Sequence, residues 1–113
     1  MTVVETPFFL RKAATLLDEV ERSELVAYLG MNPEAGNVIP ETGGVRKVRW
    51  ATEGRGKRGS VRVIYYFHSE RFPLFLLTVH AKNQKASLTK GERNEFRKLL
   101  SALVKTYAKG RKR

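Results

Sequence analysis

Residues 60–68, Ser-Val-Arg-Val-Ile-Tyr-Tyr-Phe-His, set the architecture of this chain. β-Branched and aromatic side chains dominate them, and this composition predicts a β-strand. Because side chains alternate along a strand, Arg62 shares a face with Tyr66 and opposes Tyr65. An arginine among apolar neighbours needs an anion, a carboxylate or water at its face. The strand therefore predicts an anion-binding surface around Arg62, with Tyr65 buried and Tyr66 at the surface.

A glycine-rich basic segment precedes this strand. Residues 54–59 are Gly-Arg-Gly-Lys-Arg-Gly and supply three cations, Arg55, Lys57 and Arg58. Glycines allow a backbone or a phosphate group to approach closely. The segment and Arg62 together predict a phosphate-binding groove.

Two further strands are predicted on either side of residues 60–68. Residues 45–51 and 73–81 both show a period of two, and short turns connect them to the central strand. Such short connections imply antiparallel neighbours. The three strands therefore form a meander.

The meander brings basic residues together. Arg62 should lie almost opposite the end of the third strand, where His80 and Lys82 stand. Lys57 and Arg58 enter the same end of the sheet from the glycine-rich segment. The sequence therefore predicts a compact cationic cluster at one end of the sheet.

Helical patterns flank the meander. A β-branched run at residues 2–5 predicts a first strand, and helices follow at about 7–17 and 19–29. Asp18 can cap the second helix, and Gly30 is predicted to end it.

The remaining segments complete a single domain over residues 1–113. Residues 31–44 are rich in Pro and Gly and predict a loop without regular structure. A final amphipathic helix is predicted after Thr89, with a basic tail at about 109–113. The predicted class is α+β, in the order β-α-α-β-β-β-α, with an N-terminal helix pair, an antiparallel sheet and a C-terminal helix.

The charge of the chain is segregated. The formal net charge is +11, and residues 1–39 carry a net −3 whereas residues 40–90 carry +8 and residues 91–113 carry +6. A field of this kind attracts polyanions, which favours a nucleic-acid partner over an acidic small molecule. A membrane surface or an acidic protein stays open as an alternative partner. The absence of Cys excludes thiol catalysis and cysteine-bound metals. With no secretory or membrane segment apparent in the sequence, a cytoplasmic location is expected.

The order of elements and several motifs resemble the RelE superfamily of bacterial toxins, and most closely its HigB branch. The motifs are Gly43-Gly44-Val45-Arg46-Lys47, the glycine-rich segment 54–59, Arg62-Val63-Ile64-Tyr65-Tyr66 and Lys82-Asn83. The resemblance implies an endoribonuclease that cuts mRNA in the ribosomal A site without a metal or other cofactor. It also implies a cognate antitoxin as partner, which in the HigB branch usually contains a helix-turn-helix domain.

The resemblance also implies roles for individual residues. In the family reaction, the ribose 2′-hydroxyl attacks the adjacent phosphate and expels a 5′-hydroxyl, leaving a cyclic phosphate. Arg62 matches the residue that stabilises the phosphate and the transition state, and Lys57 and Lys82 match functional cations. Neighbouring cations lower the pKa of a lysine, so one of the two lysines can act as the base.

One departure from the family concerns proton transfer. Better-known relatives have a tyrosine shortly after the Lys82 position, but residues 83–88 are Asn-Gln-Lys-Ala-Ser-Leu. His80 can take over proton transfer because histidine titrates near neutrality, or it can be a hydrogen-bonded structural residue. Arg58 is a further candidate for the catalytic cluster.

Six residues are candidates for binding RNA, although basic residues on an exposed strand can also form an ordinary solvated face. They are Arg46, Lys47, Arg49, Arg55, Tyr66 and Lys85. Two alternative functions stay open at this point. One is a ParE-like inhibitor of DNA gyrase, against which the candidate catalytic cations argue, and the other is a basic nucleic-acid-binding module without turnover.

Overall fold

The computed structural model describes residues 1–52, 59–81 and 89–111, which form one sheet with helices on both faces. The predicted α+β class, with an N-terminal helix pair and a C-terminal helix, is confirmed. In chain order the elements are β1 (Val3–Glu5), α1 (Pro7–Leu16), α2 (Glu19–Met31), β2 (Asn37–Val38), β3 (Val45–Ala51), β4 (Ser60–Tyr66), β5 (Leu74–Ala81) and α3 (Lys90–Arg111).

Within the described residues the sheet has five strands in the order β1-β5-β4-β3-β2. The predicted antiparallel meander of β3, β4 and β5 is confirmed by the register, in which Val48 lies opposite Val63 and Val63 lies opposite Val79. β1 pairs parallel with β5, with Val3 opposite Leu74. The connection between these parallel strands contains both N-terminal helices, in keeping with the long crossover that a parallel pair requires.

The two faces of the sheet have separate cores. On one face, called the α1/α2 face, Val61, Val63 and Tyr65 pack with buried residues of the N-terminal helices such as Phe9 and Leu25. On the other, called the α3 face, Ile64, Tyr66 and Phe75 pack with Leu100 of α3. This division follows from side-chain alternation along β4.

The α2 helix begins as predicted and ends later than predicted. The Asp18 side chain accepts from the Glu21 N–H (2.8 Å), and the Glu21 side chain accepts from the Asp18 N–H (2.9 Å). This is a capping box, of a kind worth about 0.5–2 kcal/mol. The prediction that Gly30 ends the helix is wrong, because α2 continues to Met31. Gly30 instead packs against the chain start, where an added Cβ would lie 3.3 Å from the Met1 carbonyl oxygen.

The loop over residues 31–44 was predicted to lack regular structure, but it contains the short strand β2. Tyr65 anchors the start of this loop. Its hydroxyl donates to the Pro33 carbonyl (2.8 Å) and accepts from the Gly36 N–H (2.8 Å). Burial raises the pKa of Tyr65, although the Gly36 hydrogen bond works in the opposite direction. The predicted burial of Tyr65 is confirmed, since its side chain is 0% exposed.

The C-terminal helix α3 extends through Arg111 and therefore includes the beginning of the predicted basic tail. Among residues 1–52, 59–81 and 89–111, no helix combines the length and the apolar character of a membrane-spanning segment.

Candidate functional site

Three polar side chains form a row across the centre of the sheet. Arg49 of β3 lies directly opposite Arg62 of β4, and Arg62 lies directly opposite His80 of β5. Residues directly opposite each other in antiparallel strands share a face, with Cβ atoms about 4.5–5.5 Å apart. The predicted position of Arg62 opposite the end of the third strand is thus confirmed. We call these three residues the cationic row.

The cationic row lies on the α3 face, beyond the part that α3 covers. Ile64 and Tyr66 follow Arg62 on this face, and the apolar cluster around Leu100 buries both of them. Arg49 is exposed, whereas Arg62 and His80 are half-buried. The face therefore has an apolar part under α3 and a polar part that contains the cationic row.

Arg49 is held in place from the neighbouring strand. Its Nε donates to the Ser60 Oγ (3.0 Å), and alternation places Ser60 on the same face as Arg62. The bond uses one of the five N–H donors of the guanidinium, which leaves a planar fork suited to an anion. Ser60 was not among the predicted site residues, although its position two residues before Arg62 places it on this face.

Basic side chains are concentrated on this part of the sheet. Like charges directly opposite each other destabilise a sheet, and Arg49 and Arg62 form such a pair. Lys47 stands on the same face as Arg49, opposite Ile64, and adds a third positive charge.

Two predicted RNA-binding residues have other environments. Arg46 lies on the α1/α2 face, and its Nη1 donates to the Gly36 carbonyl (2.8 Å) and the Glu34 carbonyl (3.4 Å). Tyr66 is on the predicted face, but its side chain is only 4% exposed. The expectation that Tyr66 stands at the surface is therefore wrong, because α3 packs over this end of the strand. The Tyr66 ring cannot stack on a base in this structure.

His68 stands beside Tyr66 near the β4–β5 turn. The Tyr66 hydroxyl and the His68 Nδ1 are 3.1 Å apart and share a hydrogen bond. The His68 ring also packs against the Phe72 ring in an edge-to-face arrangement, with the ring centroids 4.9 Å apart. Burial raises the pKa of Tyr66. These contacts give His68 a structural role at the far end of the strand from Arg62.

The other predicted site residues fall outside the described residues. They are Arg55, Lys57, Arg58, Lys82 and Lys85. Three described residues next to these segments, Thr52, Gly59 and Ala81, lie close to the cationic row in the sheet. The Thr52 N–H donates to the Gly59 carbonyl (3.0 Å), and Ala81, the last described residue before Lys82, lies opposite Val61.

The sequence from residue 34 to residue 111 matches the model of a protein family described as "RelE toxin of RelE / RelB toxin-antitoxin system". The match includes β2, β3, β4, β5 and α3, and therefore every residue of the cationic row.

Proposed function

This chain belongs to the RelE family of toxins from toxin–antitoxin systems, and we propose that it is a ribosome-associated endoribonuclease that cleaves mRNA. The observation that supports this proposal most directly is the cationic row. Arg49, Arg62 and His80 lie side by side across three strands, and in the proposal they bind an RNA phosphate. The cytoplasm, where translation takes place, is the expected location.

In the proposed reaction the RNA supplies its own nucleophile. A base accepts the proton of the ribose 2′-hydroxyl, and the 2′ oxygen forms a bond to the adjacent phosphorus. The bond from phosphorus to the 5′ oxygen then breaks, and the leaving oxygen takes up a proton. The products are a 2′,3′-cyclic phosphate and a 5′-hydroxyl, and no metal or other cofactor takes part in the proposed steps.

Arg62 has the central role in this proposal. It stands in the middle of the cationic row, with Arg49 on one side and His80 on the other. The phosphorane gains negative charge as it forms, and a guanidinium already in place stabilises that charge. Loss of one such donor typically slows an enzyme about 10²–10³-fold.

We assign proton transfer, further charge stabilisation and binding of flanking phosphates to the residues around Arg62. In this proposal His80 exchanges a proton with the reacting oxygens, and Lys57 and Lys82 are the candidate base and a second stabilising cation. Arg49 and Lys47 bind flanking phosphates from the same face, and Arg55, Arg58 and Lys85 add to the positive field. The proposed RNA contact does not include Arg46, because its guanidinium donates to the Gly36 carbonyl, or Tyr66, because its side chain is buried.

Arg62→Ala tests the proposal in cells, with Arg71→Ala as a matched control. Arg71 is an exposed arginine in the β4–β5 turn, at the opposite end of the strand pair, so both variants remove one positive charge. We expect the wild type and Arg71→Ala to arrest growth and cleave mRNA, and Arg62→Ala to do neither. Growth arrest with intact mRNA and inhibited DNA supercoiling would instead establish a gyrase inhibitor. Binding of RNA without cleavage would establish a module without turnover.

A further inference from the structure

The hydroxyl of Ser60 accepts a hydrogen bond from an arginine of the neighbouring strand. The donor is Arg49 Nε, and the distance to Ser60 Oγ is 3.0 Å. Ser60 lies opposite Ala51, two residues along β3 from Arg49, so the bond joins diagonal neighbours. Such neighbours on one face have Cα atoms about 7–8 Å apart, a distance that a long side chain can span. The bond therefore directs the Arg49 side chain toward Ser60 and not straight across to Arg62.

The nitrogen that makes this bond decides which part of the guanidinium stays available. A guanidinium has one N–H on Nε and four on its two Nη atoms. Because Ser60 accepts from Nε, the bond leaves both Nη atoms of Arg49 for a bidentate contact with a phosphate. Arg46 has the opposite arrangement, since its Nη1 donates to the Gly36 and Glu34 carbonyls. The two arginines are thus held at opposite ends of the guanidinium.

Ser60 also orders the Arg49 side chain in advance of binding. Arg49 is exposed, and an exposed arginine samples many rotamers that it loses when it binds a ligand. Ser60 is half-buried at the start of β4, where pairing with Ala51 fixes its backbone. A hydroxyl on this rigid support restricts the guanidinium before a ligand arrives. Preorganisation of this kind increases affinity without a new contact to the ligand.

We infer that Ser60 is a positioning residue of the proposed RNA site. Its hydroxyl holds Arg49 so that the two Nη atoms bind an RNA phosphate next to the phosphate at Arg62. The inference rests on the proposed function in so far as it takes RNA as the ligand. Because Ser60 acts through Arg49, it contributes to the binding of RNA, whereas the rate of the chemical step depends on Arg62.

Three substitutions of Ser60 separate positioning from a structural role. Ser60→Ala removes the acceptor, and Ser60→Thr retains a hydroxyl on a β-branched side chain that suits a strand. Ser60→Asp accepts from Arg49 more strongly but also neutralises its charge. Ser69→Ala is the matched control, because Ser69 Oγ accepts from the Arg71 N–H (3.3 Å) in the β4–β5 turn, at the opposite end of the strand pair.

The first measurement is the affinity for an RNA hexanucleotide with a methyl group on each 2′ oxygen, which prevents the proposed cleavage. We expect Ser60→Ala to raise the dissociation constant about two- to tenfold, the cost of ordering one long side chain. Ser60→Thr should recover most of this loss, and Ser69→Ala should bind like the wild type. Ser60→Asp should bind more weakly than Ser60→Ala, whereas a purely structural hydrogen bond would make aspartate the better replacement. Urea unfolding verifies that each variant is folded.

A double-mutant cycle tests whether Ser60 acts through Arg49. In the Arg49→Ala background, Ser60→Ala should have no further effect on affinity, because no guanidinium is left to position. Single-turnover cleavage of mRNA on ribosomes gives a second readout. There Ser60→Ala should raise the half-saturating protein concentration by the same factor and change the maximal rate less than about twofold, as expected for a loss of uniform binding.

Two results would overturn the inference. One is wild-type affinity of Ser60→Ala, and the other is an equal loss of affinity on Ser60→Ala with and without Arg49. If the free hexanucleotide does not bind measurably, the half-saturating concentration on ribosomes completes the same cycle. RNA binding without cleavage overturns only the proposed function, and cleavage with additive effects of Ser60 and Arg49 overturns only this inference. A wild type that neither binds nor cleaves RNA overturns both.

Discussion

Arg62 lies directly opposite His80, on the face of the sheet that α3 leaves partly uncovered. The pair joins a guanidinium to an imidazole, and in the proposed mechanism the first stabilises charge and the second transfers a proton. Phosphoryl chemistry at the 2′-hydroxyl of RNA needs both functions at one phosphate. The register of two strands therefore brings the two residues to which we assign these functions side by side.

Replacing His80 with Gln should separate these two functions. Glutamine retains a hydrogen-bonding side chain of similar reach but cannot transfer a proton near neutrality. The cleavage rate should fall about 10²–10⁴-fold, and the part of the pH–rate profile that reports a histidine should disappear. RNA affinity should change little because Arg49 and Arg62 remain. An unchanged pH–rate profile would assign His80 a purely structural role.

Tyr65→Phe should destabilise the protein by about 1–3 kcal/mol, because the Gly36 N–H loses its acceptor and the Pro33 carbonyl loses its donor. Urea unfolding at neutral pH measures this loss. Gly36 and Pro33 are distant in sequence from Tyr65, so the variant should also loosen the loop before β2, which amide exchange can detect.

Alkaline pH should destabilise the wild-type protein because its two buried tyrosines, Tyr65 and Tyr66, lose their protons. Burial raises the pKa of Tyr65 and of Tyr66 in the folded state. At a pH between the pKa of a tyrosine in the unfolded chain and its higher pKa in the folded protein, the folded protein binds more protons than the unfolded chain. The contribution of the tyrosine to the free energy of unfolding is therefore fully present below the unfolded pKa and is lost as the pH rises through the folded pKa. Unfolding free energies measured from about pH 9 to pH 12 should therefore fall, given an unfolded tyrosine pKa of about 10. Tyr65→Phe should make the fall shallower, and an equally steep fall would contradict this assignment.

Gly36→Ala and Gly91→Ala should have opposite effects. A Cβ at Gly36 would lie 2.6 Å from the Lys47 carbonyl oxygen and 2.9 Å from Tyr65 Cε1, so the backbone must shift. We expect a loss of about 1–3 kcal/mol. At Gly91, in the first turn of α3, a Cβ would meet only Thr89 Oγ1 at 4.0 Å among the described residues. Alanine there should stabilise the helix by up to about 1 kcal/mol. Equal unfolding free energies for the two variants would count against this packing at Gly36.

The sequence predicted the centre of the sheet well, for a physical reason. β3 was predicted with its observed bounds, and Arg62 was placed opposite the end of β5, because alternation and short turns are local properties of the chain. β1 and β2 have three and two residues. No period can be recognised over so short a length, and their partners are set by tertiary packing. Neither the parallel pairing of β1 with β5 nor the existence of β2 could therefore be predicted from the sequence.

In the candidate site, too, the sequence predicted what depends on local alternation and failed to predict what depends on tertiary packing. Alternation placed Tyr66 on the Arg62 face, but only the position of α3 shows that the ring is covered. Arg46 and Arg49 both looked like RNA-binding residues in the sequence. Arg46 instead donates hydrogen bonds to the loop before β2, and the sequence pattern does not show how that loop folds back. The proposed roles of Lys57 and Lys82 stay predictions because both residues lie outside the described ranges.

The rate of mRNA cleavage on ribosomes tests the central claim most directly. Purified wild-type protein, Arg62→Ala and Arg71→Ala are mixed in turn with ribosomes carrying a defined codon in the A site, and single-turnover cleavage is followed. The proposed mechanism predicts products with a cyclic phosphate and a 5′-hydroxyl, a rate reduced about 10²–10³-fold by Arg62→Ala, and no effect of Arg71→Ala. Cleavage by folded Arg62→Ala at the wild-type rate would contradict it.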